Sequence, residues 1–124
     1  MNYNHQNVFA KILRGEITSQ KIYEDEEVLA FNDISQASKI HVLVIPKGHY
    51  QNYLDFVSNA SENQVANFFK KVSMIVKMLK LDESGFRLIA NNGDDAHQTV
   101  EHFHVHLLGG QKLGPLLTSD NKLR

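Results

Sequence analysis

The chain of 124 residues contains no cysteine. Disulfide frameworks, thiolate nucleophiles and cysteine-ligated zinc are excluded together, and a reducing compartment fits that absence. A charge imbalance is missing too. Thirteen Lys and Arg face 14 Asp and Glu, for a net charge of −1 at pH 7. Nucleic acid or an anionic membrane would call for a basic excess, so neither is an expected partner. Phosphate can still be held locally, because backbone amides and imidazoles bind it without a basic face. Long apolar runs are absent. MNYNHQNVFAKILRGE lacks the apolar centre of a signal peptide, and no stretch approaches membrane-spanning length. Cytoplasmic is the expected location. There is no internal repeat, low-complexity segment or linker. The length suits a single domain, with its core expected over about residues 7–117.

What is present divides into alternating helical and extended patterns. VFAKIL (Val8 to Leu13) has apolar residues at helical spacing and stops at Gly15, which predicts a short helix. KIYEDEEVLAFND predicts two strands, Lys21 to Glu24 and Val28 to Asn32, around an acidic turn. HVLVIP (His41 to Pro46) is β-branched and ends at its proline. From Glu62 to Lys80, Val65, Phe68, Phe69, Val72, Ile75, Val76 and Leu79 form one apolar stripe, and Ser61 with Gln64 has the form of a capping box. FRLIAN (Phe86 to Asn91), a polar loop NNGDDAHQT and EHFHVHLLGG follow. The pattern predicts an α+β fold: an antiparallel sheet with a helix packed on one face.

EHFHVHLLGG is the most informative stretch. His102, His104 and His106 alternate with Phe103, Val105 and Leu107, which is the side-chain period of a strand. One face would pack on a core and the other would carry only imidazoles. Stability requires no such run, so the histidines point to chemistry. One chemistry is metal binding, since neutral imidazole suits zinc. At about 3.3 Å per residue, however, His102 and His106 stand roughly 13 Å apart along a strand, and convergence of all three would need a bend. A pair with His41 as outside donor is the alternative form of that site. The other chemistry is nucleophilic catalysis on phosphorus. With an ordinary pKa of about 6.5, imidazole is mostly neutral and nucleophilic at neutral pH. A middle histidine could attack while its neighbours contact phosphoryl oxygens and set its tautomer. Gln98 and Thr99 lie just upstream as neutral hydrogen-bond partners.

The run His102-Phe-His104-Val-His106-Leu-Leu resembles the signature of the histidine triad (HIT) family, His-φ-His-φ-His-φ-φ with φ apolar. NVFAKILRGEI, VLAFNDISQASKIHVLVIPKGH and FRLIANNGDDAHQTVEHFHVHLLGG extend the likeness over nearly the whole chain, most closely to the Hint branch. The resemblance implies an α+β fold with a five-stranded antiparallel sheet, one long and one short helix, and a homodimer with a continuous sheet. It also implies hydrolysis or transfer of nucleoside 5′-monophosphates, with a purine nucleoside monophosphate or its phosphoramidate as ligand and no cofactor. His104 would form the nucleotidyl-histidine intermediate and His106 would contact the phosphate. His102 and His41 would support the catalytic imidazole. Asp33 would bind the ribose hydroxyls. Val8, Phe9, Ile12, Phe31, Asn32 and Ile34 would surround the nucleoside. Asn91, Gln98 and Thr99 would face the phosphate and leaving group.

The chain also departs from that pattern. Many relatives carry two cysteines near the start that join histidines in a structural zinc site, whereas Asn7 and Ala10 stand there here. No metal is therefore expected. Thr99 replaces the serine usual in Hint proteins, and His97 replaces a glycine common in that loop. A nucleoside phosphoramidase of Hint type is the leading expectation. A Fhit-like dinucleoside polyphosphate hydrolase, and a nucleotide-binding regulatory protein with incidental turnover, are the alternatives.

Overall fold

A computed structural model describes residues 2–116 of the chain. Leu117, the far end of the expected core, lies outside the described residues. The elements run α1 (Val8–Leu13), β1 (Lys21–Glu24), β2 (Val28–Asn32), β3 (Ile40–Pro46), α2 (Tyr53–Asn59), α3 (Glu62–Met78), β4 (Phe86–Ile89) and β5 (Val105–Gly109), with a 3₁₀ turn at Asp94–Ala96. The five strands form one sheet in the order β1-β2-β3-β5-β4, with every neighbouring pair antiparallel. Among the described residues, no helix is long and apolar enough to cross a membrane.

Local sequence accounts for most element boundaries. The Asp25 carboxylate accepts from the Glu27 and Val28 amides and so closes the acidic turn between β1 and β2. Ser61 and Gln64 form the reciprocal capping box at the start of α3. That helix ends at Met78, two residues before the expected Lys80, and Lys80 itself takes a left-handed conformation. Helix α2 was not foreseen. Its seven residues are too few for a periodic signal, but Asn52 caps it by accepting from the Asp55 amide.

Register determines what each face of the sheet carries. Val28 and Ala30 of β2, Val42 and Val44 of β3, and Val105 and Leu107 of β5 lie on one face. Phe56, Phe68, Val72, Ile75 and Val76 of the two later helices pack on it, together with Phe103. Phe103 stacks on Phe56 at 4.9 Å between ring centroids. Leu29, Phe31, Leu43 and Ile45 occupy the opposite face, where Phe9 of α1 covers them. Both faces of β2 and β3 are thus buried, and the expected single covered face is corrected to two. A strand lacking alternation, such as HVLVIP, is what double burial requires.

The expected histidine strand needs a second correction. Sheet pairing of β5 begins only at Val105, opposite Val44, so His102 to His104 precede the ladder. The Phe103 amide donates to the Tyr50 carbonyl at 2.7 Å instead of to a strand. The alternation nevertheless survives, since Phe103, Val105 and Leu107 are all buried in the core under α3.

Candidate active site

The imidazoles gather where β3 and β5 run side by side, on the face that α1 partly covers. His41 enters β3 just after a tight loop, and its Nδ1 accepts from the Ala37 amide at 3.0 Å. When neutral, His41 must therefore carry its proton on Nε2. That atom lies 2.9 Å from His106 Nδ1 and 3.3 Å from Asp33 Oδ2. His106 Nδ1 is thus an acceptor, and the proton of neutral His106 sits on Nε2. Burial, followed by the neighbouring His104 and His41, depresses the His106 pKa to about 4.

The same reasoning fixes His104. Its Nδ1 lies 2.7 Å from the His102 carbonyl, which can only accept, so Nδ1 carries the proton. Nε2 is left as a free lone pair. Burial lowers the His104 pKa, which keeps the ring neutral at neutral pH. Phe9 meets the ring edge-on at 5.0 Å, and His106 lies 5.1 Å away. A neutral imidazole with an exposed-side lone pair, next to a second imidazole offering an N–H, can attack an electrophile and hydrogen-bond the oxygen that becomes more anionic.

His102 is different. It is fully buried, Nε2–H donates to the Pro46 carbonyl at 2.8 Å, and Nδ1 accepts from the Tyr3 hydroxyl. Burial pushes its pKa down to about 4. Both ring nitrogens are occupied, so its support of His104 comes from its backbone carbonyl and not from its ring.

The remaining expected residues divide. Phe9 and Phe31 meet edge-on at 5.5 Å, and Ile12 packs against them, forming an apolar wall beside His104. Val8 is partly exposed on the same helix. Ile34 is fully exposed and does not join that wall. Strand parity pairs Asn32 with Val42, on the α3 face, and its carboxamide turns to Gln20. Asn32 is therefore not brought to the imidazoles. Asp33 Oδ1 accepts from the Ser35 amide while Oδ2 faces His41, so this carboxylate touches the imidazole group directly. Asn91 is half-buried just after β4, and Thr99 is exposed in the following loop. Gln98 does not face outward. Its Nε2 donates to the Gln51 and Val100 carbonyls and its Oε1 accepts from the Gly93 amide, so it braces the loop.

Tyr3, the Ala37 amide and the Pro46 carbonyl were not anticipated. The latter two are backbone groups without a side-chain signature, and Tyr3 is 99 positions from its partner. Metal donors are also rearranged. Among the described residues, Asp33, His41 and His106 place ligand atoms within 4.8 Å of one another, whereas His102 and His104 take no part. Nor do Asn7 and Ala10, where no structural zinc was expected, offer a metal side-chain donor. Asn7 uses its side-chain oxygen to accept from the Ala10 amide as the cap of α1, and Ala10 has no donor.

A five-stranded antiparallel sheet carrying a neutral imidazole with an unpaired ring nitrogen beside a His–His–Asp contact defines the class of histidine triad proteins. The chain belongs to the HIT family: the HIT domain model matches residues 14–113. It is 44% identical to an uncharacterised HIT-like protein of Rickettsia prowazekii, over 96% of this chain and 99% of that one. It is 38% identical to the purine nucleoside phosphoramidase of Escherichia coli, over 90% of this chain and 93% of that one. Among solved structures, it resembles a HIT family hydrolase from Legionella pneumophila with a TM-score of 0.81 and 36% identity, covering 86% of this chain and 95% of that one.

Proposed function

We propose that the protein hydrolyses nucleoside 5′-phosphoramidates, with purine nucleosides preferred, through a nucleotidyl-His104 intermediate. The observation that carries this reading is the 2.7 Å contact from His104 Nδ1 to the His102 carbonyl, which leaves Nε2 free to attack. In the first step, Nε2 bonds to phosphorus and the P–N bond breaks. The departing nitrogen keeps the bonding pair and takes a proton from solvent, while His106 Nε2–H hydrogen-bonds a phosphoryl oxygen. His41 Nε2–H donates to His106 Nδ1 at 2.9 Å, with Asp33 Oδ2 3.3 Å from the same nitrogen, and so holds the tautomer in which His106 presents Nε2–H to the phosphoryl oxygens. In the second step, water attacks phosphorus, the P–His104 bond breaks, and nucleoside monophosphate leaves. The proton lost by water passes to solvent, and His104 is released neutral with its Nδ1 proton in place.

The apolar wall of Phe9, Ile12 and Phe31 suits a flat base. The site's charge argues for a small or cationic leaving group, such as the amine of adenosine 5′-phosphoryl-lysine. The segment from Asn91 to Gly110 holds Asp94, Asp95 and Glu101 but no Lys or Arg. Arg87, on the imidazole face by register with Leu108, is committed to the Gly114 carbonyl. A polyphosphate leaving group would need cations that this surface does not supply. A homodimer is part of the same proposal. β4 is the outer strand of the sheet, and Phe86 and Leu88 on it are both more than 40% exposed, which suits pairing with a second copy.

Steady-state kinetics test the substrate class. An adenosine phosphoramidate should show a kcat/KM at least about 100-fold above that of diadenosine triphosphate, roughly 2.7 kcal/mol in the transition state, and turnover should persist in EDTA. Equal rates, or a preference for the dinucleotide, would favour the Fhit-like activity. Loss of turnover on chelation, restored by a divalent cation, would assign the work to a metal on Asp33, His41 and His106.

A further inference from the structure

The segment before β5 poses a problem of support. His102 supplies the carbonyl that sets the His104 tautomer, yet residues 102 to 104 lie outside the sheet ladder. Three bonds hold them: the Phe103 amide to the Tyr50 carbonyl, His102 Nε2–H to the Pro46 carbonyl, and the Tyr3 hydroxyl to His102 Nδ1. All three partners are remote in sequence, but only the last is a side chain.

Residues 2 to 7 are themselves tied down. The Asn2 carbonyl accepts from Gln51 Nε2 at 2.7 Å, the His5 carbonyl accepts from Arg14 Nη1 at 2.6 Å, and Asn7 caps α1. The Tyr3 ring stacks on His49 at 4.7 Å and meets His102 edge-on at 5.6 Å. The segment forms a strap with a phenol at its inner side.

We infer that Tyr3 is a positioning residue, whose hydroxyl fixes the His102 ring and so aims the His102 carbonyl at Nδ1 of the nucleophile. This inference rests on the reading of His104 as nucleophile and adds to it a residue that touches neither substrate nor His104. The logic is one of proton positions. Tyr3 is also a strong candidate to remain a donor, because burial raises its pKa and keeps the phenol protonated. A phenol donating to Nδ1 obliges neutral His102 to carry its proton on Nε2, where the Pro46 carbonyl accepts it. Without the hydroxyl, Nδ1 becomes a buried acceptor with no partner, in a ring that is fully buried. The ring can then change tautomer and release Pro46, and the carbonyl of the same residue loses its anchor. His104 can in turn place its proton on Nε2, which removes the lone pair that attacks.

Tyr3→Phe is the direct test, because it keeps the ring on His49 and removes only the hydroxyl. Long-range ¹H–¹⁵N spectra of the wild-type protein at neutral pH should show His102 protonated at Nε2 and His104 at Nδ1. In Tyr3→Phe, the His104 signals should report a mixture of tautomers. The kcat for an adenosine phosphoramidate should fall about ten-fold with KM within about two-fold, since bound substrate is still held but less often meets a free lone pair. Tyr3→Ala should lower the melting temperature further without further loss of kcat. Wild-type kcat and unchanged His102 and His104 spectra in Tyr3→Phe would overturn the inference. If no phosphoramidate is turned over even by the wild-type protein, the substrate reading fails, and the spectra alone decide the role of Tyr3.

Discussion

The two faces of the sheet are built from the same three central strands and teach opposite lessons. On the α3 face, Val28, Ala30, Val42, Val44, Val105 and Leu107 meet Phe56, Phe68, Val72, Ile75 and Val76, and no titratable side chain is among them. Burial there contributes stability alone. On the other face, Leu29, Phe31, Leu43 and Ile45 share the surface with His41, His104 and His106. There burial disfavours the charged form of His104 and His106, and each of the three imidazoles has at least one nitrogen assigned by a partner. One face is an energy source and the other converts part of it into fixed proton positions. Neighbouring residues of a single segment divide the two tasks, because Phe103 and His104 point to opposite sides.

That neighbouring pair gives the largest expected effect. His104→Ala should lower kcat/KM at least about 10⁴-fold, equivalent to about 5.5 kcal/mol, because the covalent route is lost. Its unfolding free energy should change far less. Phe103→Ala should do the reverse: a loss of about 3–5 kcal/mol in urea unfolding, from a ring that is 1% exposed and stacked on Phe56, while the folded fraction still turns over. Full activity in His104→Ala, with turnover abolished in His102→Ala or His106→Ala, would mean that the roles on the imidazole face are wrongly assigned.

The sequence made the α3 face legible because burial without chemistry leaves periodicity, and the α3 stripe and the alternation of residues 102 to 107 are both periodic. It made His104 and His106 legible because three alternating imidazoles have no packing purpose, whereas His41 was legible only as an outside donor to them and through the family resemblance. What stayed hidden depends on partners and not on periods. His102 has the same spacing as its neighbours, yet both its nitrogens are occupied by Tyr3 and Pro46, groups remote in sequence. Gln98 reads as a phosphate contact until the Gly93 amide and two carbonyls claim its carboxamide. Asn32 and Phe31 are adjacent and read alike, and only the register assigns them to opposite faces. The start of the β5 ladder was illegible as well, because it depends on where the Tyr50 carbonyl takes over the Phe103 amide.

Acid should separate the faces by a smaller amount. His102 and His106 have pKa values of about 4 in the folded protein, against 6.5 for an unperturbed imidazole. Between these values the unfolded chain binds more protons than the folded one, so stability rises with pH across that window and is lost as pH falls from about 6.5 towards 4. His102 alone should account for about 3 kcal/mol of the difference between pH 7 and pH 4, and His106, being more open to solvent, for less. Urea unfolding across this range should show the slope in the wild-type protein and a shallower one in His102→Gln. A slope that His102→Gln leaves untouched would place the acid sensitivity outside this face.

The smallest effect lies in the loop that precedes the histidine segment. Gly93 has φ of 85° and ψ of −179°, a combination open essentially to glycine, while His97 sits in the left-handed region at φ of 60°. A Cβ added at Gly93 would meet nothing within 4 Å, so any cost of Gly93→Ala comes from the backbone and not from a clash. That cost should be about 1–3 kcal/mol, because the Gly93 amide also anchors Gln98 at 2.9 Å and the loop cannot relax without losing that bond. His97→Gly acts in the opposite direction. Relief of about 1–2 kcal/mol of left-handed strain is offset by about 0.5–1 kcal/mol of extra freedom in the unfolded chain. The expected result is a gain of no more than about 1 kcal/mol in unfolding free energy, with kcat unchanged because the ring is exposed and makes no contact with His104. A fall in stability in His97→Gly would show that the imidazole of residue 97 holds the loop in place, and a rise in kcat would show that it restricts access to the phosphate site.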